Sequence, residues 1–325
     1  PGGKPPGVFA LARRRGILRA AGRNNPTRKA GQMGERITNA MTVDVEEHFH
    51  VSAFASVIRR SDWDRLDSRV CASTARLLRL FADARVTATF FVLGWVAERH
   101  PALIREIASA GHEVACHGYS HQLVYRQSPR EFRDETRRSK DLLEDITQQP
   151  VHGYRAASYS ITNRSLWALD TLVDIGFTYD SSIFPVRHDK YGIPGFPPHP
   201  HRLRTPSGRE LVEFPLSTAP VFGARMPVAG GGYFRLFPYG LTRRGLDRIN
   251  VRERRPFIFY IHPWEVDPEQ PRVPANPLSA FRHYNNLARC QHRLARLLGE
   301  FHFGRVIDVL RDLQLLAASA RGPAH

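Results

Sequence analysis

Cysteine is scarce in this 325-residue chain: Cys71, Cys116 and Cys290 are too few and too scattered for a disulfide framework and show no zinc-finger spacing. A reducing compartment, and so a cytoplasmic protein, is the expectation. Long apolar runs are missing too, since no window approaches the roughly 18 uninterrupted apolar residues a membrane-spanning helix needs. Acidic residues are outnumbered, 31 Asp and Glu against 47 Lys and Arg, giving a net charge of +16. Half of that excess lies in the first forty residues, where nine Lys and Arg meet the single acid Glu35. That stretch lacks interleaved aromatics and helical capping, which argues against nucleic-acid binding and for a disordered basic tail over residues 1–38, with peripheral membrane association as its open use. A second short tail is expected over 317–325.

Between them, residues 39–316 suffice for one α/β domain. Residues 37–45 read as a buried strand ending in acids, and 73–84 as a helix with apolar Leu77, Leu78, Leu80 and Phe81. Strands are predicted at 87–93, 113–116, 152–155, 178–180 and 257–262, with helices at 101–110, 131–146, 285–298 and 306–316. From 185 to 240 Pro and Gly break the rhythm, and long loops over one mouth are expected. Parallel strands with crossover helices point to a barrel of βα units, in which chemistry collects at the C-terminal ends of the strands.

Five short segments follow predicted strands and carry reactive side chains: Asp44-Val45-Glu46-Glu47-His48, His117-Gly118-Tyr119-Ser120-His121, Tyr154-Arg155-Ala156-Ala157-Ser158, Tyr179-Asp180-Ser181-Ser182-Ile183-Phe184 and Ile261-His262-Pro263-Trp264. His117 and His121, four apart just past a strand, could aim both imidazoles at one ion, with a carboxylate completing a three-ligand set that leaves positions open for water. The pair alone leaves a second reading open, one surface and one core histidine. Strand alternation puts Asp44 and Glu46 on one side and Glu47 on the other.

In order and content the five segments resemble the NodB-type polysaccharide deacetylases, carbohydrate esterase family 4, over residues 42–264, and Gly-His-Glu-Val-x-x-His-x-x-x-His is the most specific run. The Asp-Val-Glu-Glu-His-Phe, Gly-Gly-Gly-Tyr-Phe-Arg and His-Pro-Trp-Glu runs are similar to the exosortase-associated, exopolysaccharide-locus subgroup. The resemblance implies a distorted (β/α) barrel with long loops, C-terminal outer helices and an extension from about residue 265. It implies a divalent metal, zinc with cobalt or nickel as alternatives, on Glu46, His117 and His121. Asp44 would be the catalytic base and His262 the general acid, with Arg155 supporting Asp44 and Asp180 holding the imidazolium of His262. The backbone N–H of Ser158 would steady an oxyanion, and Tyr159, Phe184 and Trp264 would contact substrate. Three positions depart from the family: Ala157 for Pro, Phe184 for Trp, and Glu46 for an Asp ligand.

The implied reaction removes acetyl groups from an N-acetylated glycan; hydrolysis of another, cyclic, amide is the rival enzyme reading. A silent glycan-binding module would have lost Asp44 or His262, and both are present. His48 and His50 are further ligand candidates, although Phe49 between them suggests packing. Cys116 is expected to point away from the site, and Tyr191, Tyr233 and Phe234 are candidates for stacking on sugars or for the core.

Overall fold

A computed structural model of the chain describes residues 37–188, 191–221 and 224–318. The chain divides into residues 1–36 and 37–325. The two expected tails lie outside the described residues, except that Ile37, Thr38, Ala317 and Ala318 are described and Thr38 already belongs to a strand.

The first strand, β1 (Thr38–Val45), is buried on both faces, as its central place in a parallel sheet requires. It is followed by β2 (Thr89–Val92), β3 (Glu113–Cys116), β4 (Gly153–Tyr154) and β5 (Tyr179–Asp180), each paired in parallel with the one before. Between them run α1 (Val70–Ala84), α2 (Gly94–Arg99), α3 (Pro101–Ser109), α4 (Pro129–Thr147) and α5 (Trp167–Ile175). Local chemistry sets the helix ends. Pro101 opens α3, a Ser128/Glu131 capping box opens α4, and Gly176 in the left-handed region closes α5. The α1 helix starts three residues before the predicted 73 because its cap comes from far away: the Glu47 carboxylate accepts from the backbone N–H of Arg69 (3.0 Å) and Val70 (3.1 Å).

Residues 185–240, expected as loops, contain β6 (His201–Arg204), β7 (Glu210–Glu213), β8 (Thr218–Val221), β9 (Ala224–Pro227) and α6 (Gly231–Leu236). The exposed alternation of β6 suits an edge strand, which its position at one end of the sheet makes it. Next come α7 (Tyr239–Asp247), β10 (Ile258–Ile261), α8 (Pro277–Tyr284), α9 (Leu287–Glu300), β11 (His302–Gly304) and α10 (Val306–Asp312). Helix α8 was not expected from the sequence; Asn276 caps it through Ser279 N–H.

The strand order β10-β1-β2-β3-β4-β5-β7-β6, with β11 also on β1, makes a nine-stranded sheet that is parallel except for the β6–β7 pair. Among the described residues β10 and β6 do not pair, so the barrel expected from sequence is an open, distorted one. One face carries Met41, Val43, Phe90 and Phe259 against α1, α3, α4, α5 and α9. The other packs Ala40, Phe91, Tyr179 and Ile258 against Val306, Ile307 and Leu310 of α10. Thus α9 is an outer helix as expected and α10 is not: it covers the face opposite the outer helices. Glu113 anchors it by accepting Ile307 N–H (3.2 Å), and burial raises the Glu113 carboxyl despite its bonds from Thr89 and Tyr179. Beyond that plug the same face turns polar.

Candidate metal centre and active site

Because β1 and β10 are neighbours in register, their C-terminal ends deliver Asp44, Glu46 and His262 side by side. Glu46 lies one residue past β1 yet stays on the side of Asp44, while Glu47 turns to α1. The expected alternation therefore continues beyond the strand. His117 follows β3 directly, and left-handed backbone at Gly118 (φ 75°) and His121 (φ 51°) folds the chain so that the two imidazoles lie 5.6 Å apart without a helix.

Ligand atoms of Glu46, His117 and His121 fall within 4.8 Å of one another. The His121 Nε2 lies 2.9 Å from Glu46 Oε2, a buried oxygen that takes no hydrogen bond. His117 donates its Nδ1–H to the Arg155 carbonyl (2.8 Å), which fixes the tautomer and leaves Nε2 with its lone pair toward the group. Burial lowers the His117 pKa to about 4, against the pull of Asp44 and Glu46, so the imidazole is neutral near pH 7. Burial would raise Glu46, but His121, His262 and His117 hold it well below the usual carboxylate range. Two neutral-capable nitrogens and one ionised carboxylate with an unsatisfied oxygen fit a divalent cation of the zinc type.

Asp44 sits beside this group, 2% exposed. Its Oδ1 accepts from Arg155 Nη1 (2.6 Å) and its Oδ2 from the Tyr159 hydroxyl (3.4 Å). Arg155 is fully buried, also donates to Thr42 Oγ1 and to the carbonyl and hydroxyl of Ser181, and lies over the Phe91 ring. Its fork, fixed by these partners, holds the Asp44 carboxylate in place. Next to Asp44, Ser158 and Tyr159 both adopt positive φ (51° and 55°), a conformation that costs a non-glycine residue about 1–2 kcal/mol. No proline precedes Ser158; its hydroxyl instead meets that of Ser52 at 2.7 Å.

The His262 Nε2 lies 3.5 Å from Glu46 and 3.9 Å from Asp44. Burial disfavours its charged form, but the hydrogen bond to Glu265 and the charges of Glu46, Glu265 and Asp44 outweigh this and raise its pKa to about 9. With 18% of the side chain exposed, solvent tempers that balance.

Two expected roles do not survive. Asp180 does not hold His262: its Oδ1 accepts from Ser182 (2.5 Å), and it stands opposite Glu213, a second fully buried carboxyl, in the β5–β7 register. Desolvation raises both carboxyls. The carboxylate that meets His262 Nδ1 is Glu265, at 3.0 Å. Trp264 offers no face to a sugar, because its ring is stacked between His262 and His283 with centroids 4.9 and 4.2 Å away, while its N–H reaches toward Glu46.

Phe184 is buried behind Tyr159 and stacks on Tyr191, whose hydroxyl meets Tyr233; Phe234 is core. His50 accepts Glu47 N–H and packs among Phe49, Trp63 and Trp95, and neither it nor His48 joins the metal-binding group. Cys116 accepts from Gly118 N–H, and burial pushes its thiol up to about 12.

Residues 65–179 match the polysaccharide deacetylase family and residues 181–311 match a domain of unknown function, DUF3473. A peptidoglycan deacetylase of Helicobacter pylori is 33% identical over 108 residues, 33% of this chain and 36% of that protein. A chitooligosaccharide deacetylase of Bradyrhizobium is 33% identical over 99 residues, 30% of this chain and 43% of that protein. The chain thus spans less than half the length of these two relatives. Among solved structures, a Mycobacterium smegmatis protein assigned to the polysaccharide deacetylases superposes with TM-score 0.58 at 21% identity, covering 93% of this chain and 98% of that one. PuuE allantoinase reaches the same TM-score at 15% identity, covering 90% and 95%. Over residues 65–179, then, the chain resembles the polysaccharide deacetylases. The fold is shared beyond glycan enzymes.

Proposed function

We propose that the protein is a metal-dependent hydrolase that removes acetyl groups from the N-acetylated sugars of an oligosaccharide or polysaccharide. The observation that carries this reading is the placement of a two-histidine, one-carboxylate group beside a clamped carboxylate, Asp44, and an imidazole, His262, which stand at the ends of adjacent parallel strands. A divalent ion held by Glu46, His117 and His121, zinc by the softness of its two nitrogens and cobalt or nickel by the same donors, would polarise an acyl carbonyl and acidify a water there. Asp44 takes the proton of the attacking water. Arg155 and Tyr159 hold that carboxylate in place. His262 delivers a proton to the amine nitrogen, without which the C–N bond would not break. The strained turn at Ser158 would aim its N–H at the oxyanion.

Similarity to peptidoglycan and chitooligosaccharide deacetylases supports a glycan substrate, and the subgroup runs, now seen to contain Arg235 and Glu265, support a place in exopolysaccharide synthesis. Three free cysteines suit the expected cytoplasmic setting. No helix among the described residues is long and apolar enough to cross a membrane. The allantoinase likeness keeps a cyclic amide as the second reading. The test is acetate release from a panel of N-acetylated glycans, with a cyclic ureide alongside, before and after chelation and after return of Zn²⁺ or Co²⁺. Chelator-sensitive acetate release is expected. Full activity of metal-stripped protein, or turnover of the ureide alone, would overturn the reading.

A further inference from the structure

Within the stretch that matches a domain of unknown function, a buried ion pair touches the active site without facing substrate. Glu265 is fully buried in the turn Pro263–Val266 that follows β10. Its Oε2 accepts the backbone N–H of His262 (3.0 Å) and faces His262 Nδ1 (3.0 Å), while its Oε1 accepts from Arg235 Nε (2.7 Å). Arg235, 1% exposed, spends its other donors on the carbonyls of His283 (2.7 Å), Asn285 (2.8 Å) and Arg282 (3.3 Å) and lies over the Trp264 ring. The guanidinium is thereby fixed to the end of α8, and Glu265 is fixed to the guanidinium. Space for the pair is reserved by Gly231, where a Cβ would stand 1.6 Å from Glu265 Oε2. No residue other than glycine fits there while Glu265 stays in place.

We infer that Glu265, locked by Arg235, is the positioning carboxylate of the general acid, the role the family resemblance gave to Asp180. The inference rests on the hydrolase reading above. A carboxylate on Nδ1–H selects the tautomer and ring orientation in which Nε2 is the atom directed to Asp44 and the metal-binding group, where the leaving amine would stand. His262 then gives its Nε2 proton to the departing nitrogen and regains one from water after release. Asp180 does not take this place: its Oδ1 accepts from Ser182, and the carboxylates that meet His262 are Glu265, Glu46 and Asp44. The segment 181–311 thus contributes to the chemistry directly, bringing both the acid and its holder to a site whose other groups lie earlier in the chain.

The test separates leaving groups. An N-acetyl glycan needs a protonated nitrogen, whereas an aryl acetate such as p-nitrophenyl acetate releases a stable phenolate unaided. Glu265→Gln should lower kcat on the glycan by roughly 10- to 100-fold with KM little changed. It should keep ester turnover within about twofold and keep its bound metal, and the parent's ¹⁵N signal for a histidine protonated at Nδ1, absent in His262→Ala, should be lost. Asp180→Asn should leave the amide-to-ester ratio alone. If Glu265→Gln fails to fold because Arg235 is left unpaired, the double variant Glu265→Gln/Arg235→Met removes the stranded charge and should show the same drop in ratio. An unchanged ratio in a folded Glu265 variant, or a drop produced by Asp180→Asn instead, overturns this inference while leaving the hydrolase reading intact. A parent enzyme that releases no acetate from any N-acetyl glycan overturns that reading and this one with it.

Discussion

Glu46 and Glu47 are adjacent, chemically identical and both buried, yet replacing them with alanine should break different things. Glu47 receives three backbone contacts at the head of α1, from Arg69 N–H to both oxygens (3.1 and 3.0 Å) and from Val70 N–H (3.1 Å), plus the Ser68 hydroxyl. The local cap position, Arg69, supplies no side-chain bond of its own. Loss of a helix cap costs about 1–2 kcal/mol, loss of an anion from the positive end of a helix up to about 1 kcal/mol, and buried donors left unpaired about 1–3 kcal/mol. Because these overlap, Glu47→Ala should lose roughly 2–4 kcal/mol, a fall in Tm of roughly 5–15 °C for a domain of this size. Glu46→Ala should do the reverse. It removes an ion ligand whose carboxylate takes a single long hydrogen bond, from Trp264 (3.3 Å), and no backbone contact, so metal-free stability should fall by less than in Glu47→Ala. Thermal unfolding followed by circular dichroism, beside elemental analysis after dialysis, reads both. The reasoning fails if folded Glu47→Ala has lost its metal, or if Glu46→Ala keeps it.

His262→Ala should lower kcat on an N-acetyl glycan by about 10² to 10⁴ fold with metal content unchanged, since the imidazole lies outside the ligand set; a variant within twofold of the parent would remove it as the acid. An acid-sensitive contribution to stability should come from His112, whose Nδ1 accepts Ala88 N–H at 3.0 Å and whose pKa burial, aided by Arg305, lowers from 6.5 to about 4. The unfolded chain protonates this histidine first, so its contribution is complete above pH 6.5 and fades between 6.5 and 4, by roughly 1–3 kcal/mol. His112→Asn, which retains an acceptor, should flatten that part of the stability profile in urea titrations, and parallel profiles for parent and variant would refute the assignment.

Much of the site was legible because it depends on short-range order. Alternation along β1 separates Glu46 from Glu47, and a strand end places His117, His121, Arg155 and His262 at one rim. What could not be read was long-range. The α1 start needs a cap from Glu47, more than twenty residues away. The Glu265–Arg235 pair spans thirty residues, and although both lie in runs that resemble a subgroup, nothing local says that they meet. Asp180 was given a role by resemblance, but the carboxylate that meets His262 Nδ1 is Glu265. Short strands β6 to β9 were hidden by their Pro and Gly, which mark turns whether or not strands lie between them. Trp264 read as a substrate contact because a sequence shows an aromatic but not its neighbours, here an imidazole on each face.

The seating of β1 between β10 and β2, with β11 also on its edge, has a consequence for how the chain is made. During synthesis β1, with apolar Ala40, Met41, Val43 and Val45, emerges before its partners, and the strands that cover one of its edges arrive over two hundred residues later. Until then it is a hydrophobic edge with unpaired backbone groups, the kind of surface that recruits other chains. The protein should therefore fold late and slowly, and depend on chaperones while nascent. Truncations that stop short of β10 should accumulate as aggregates rather than as smaller, weaker enzymes.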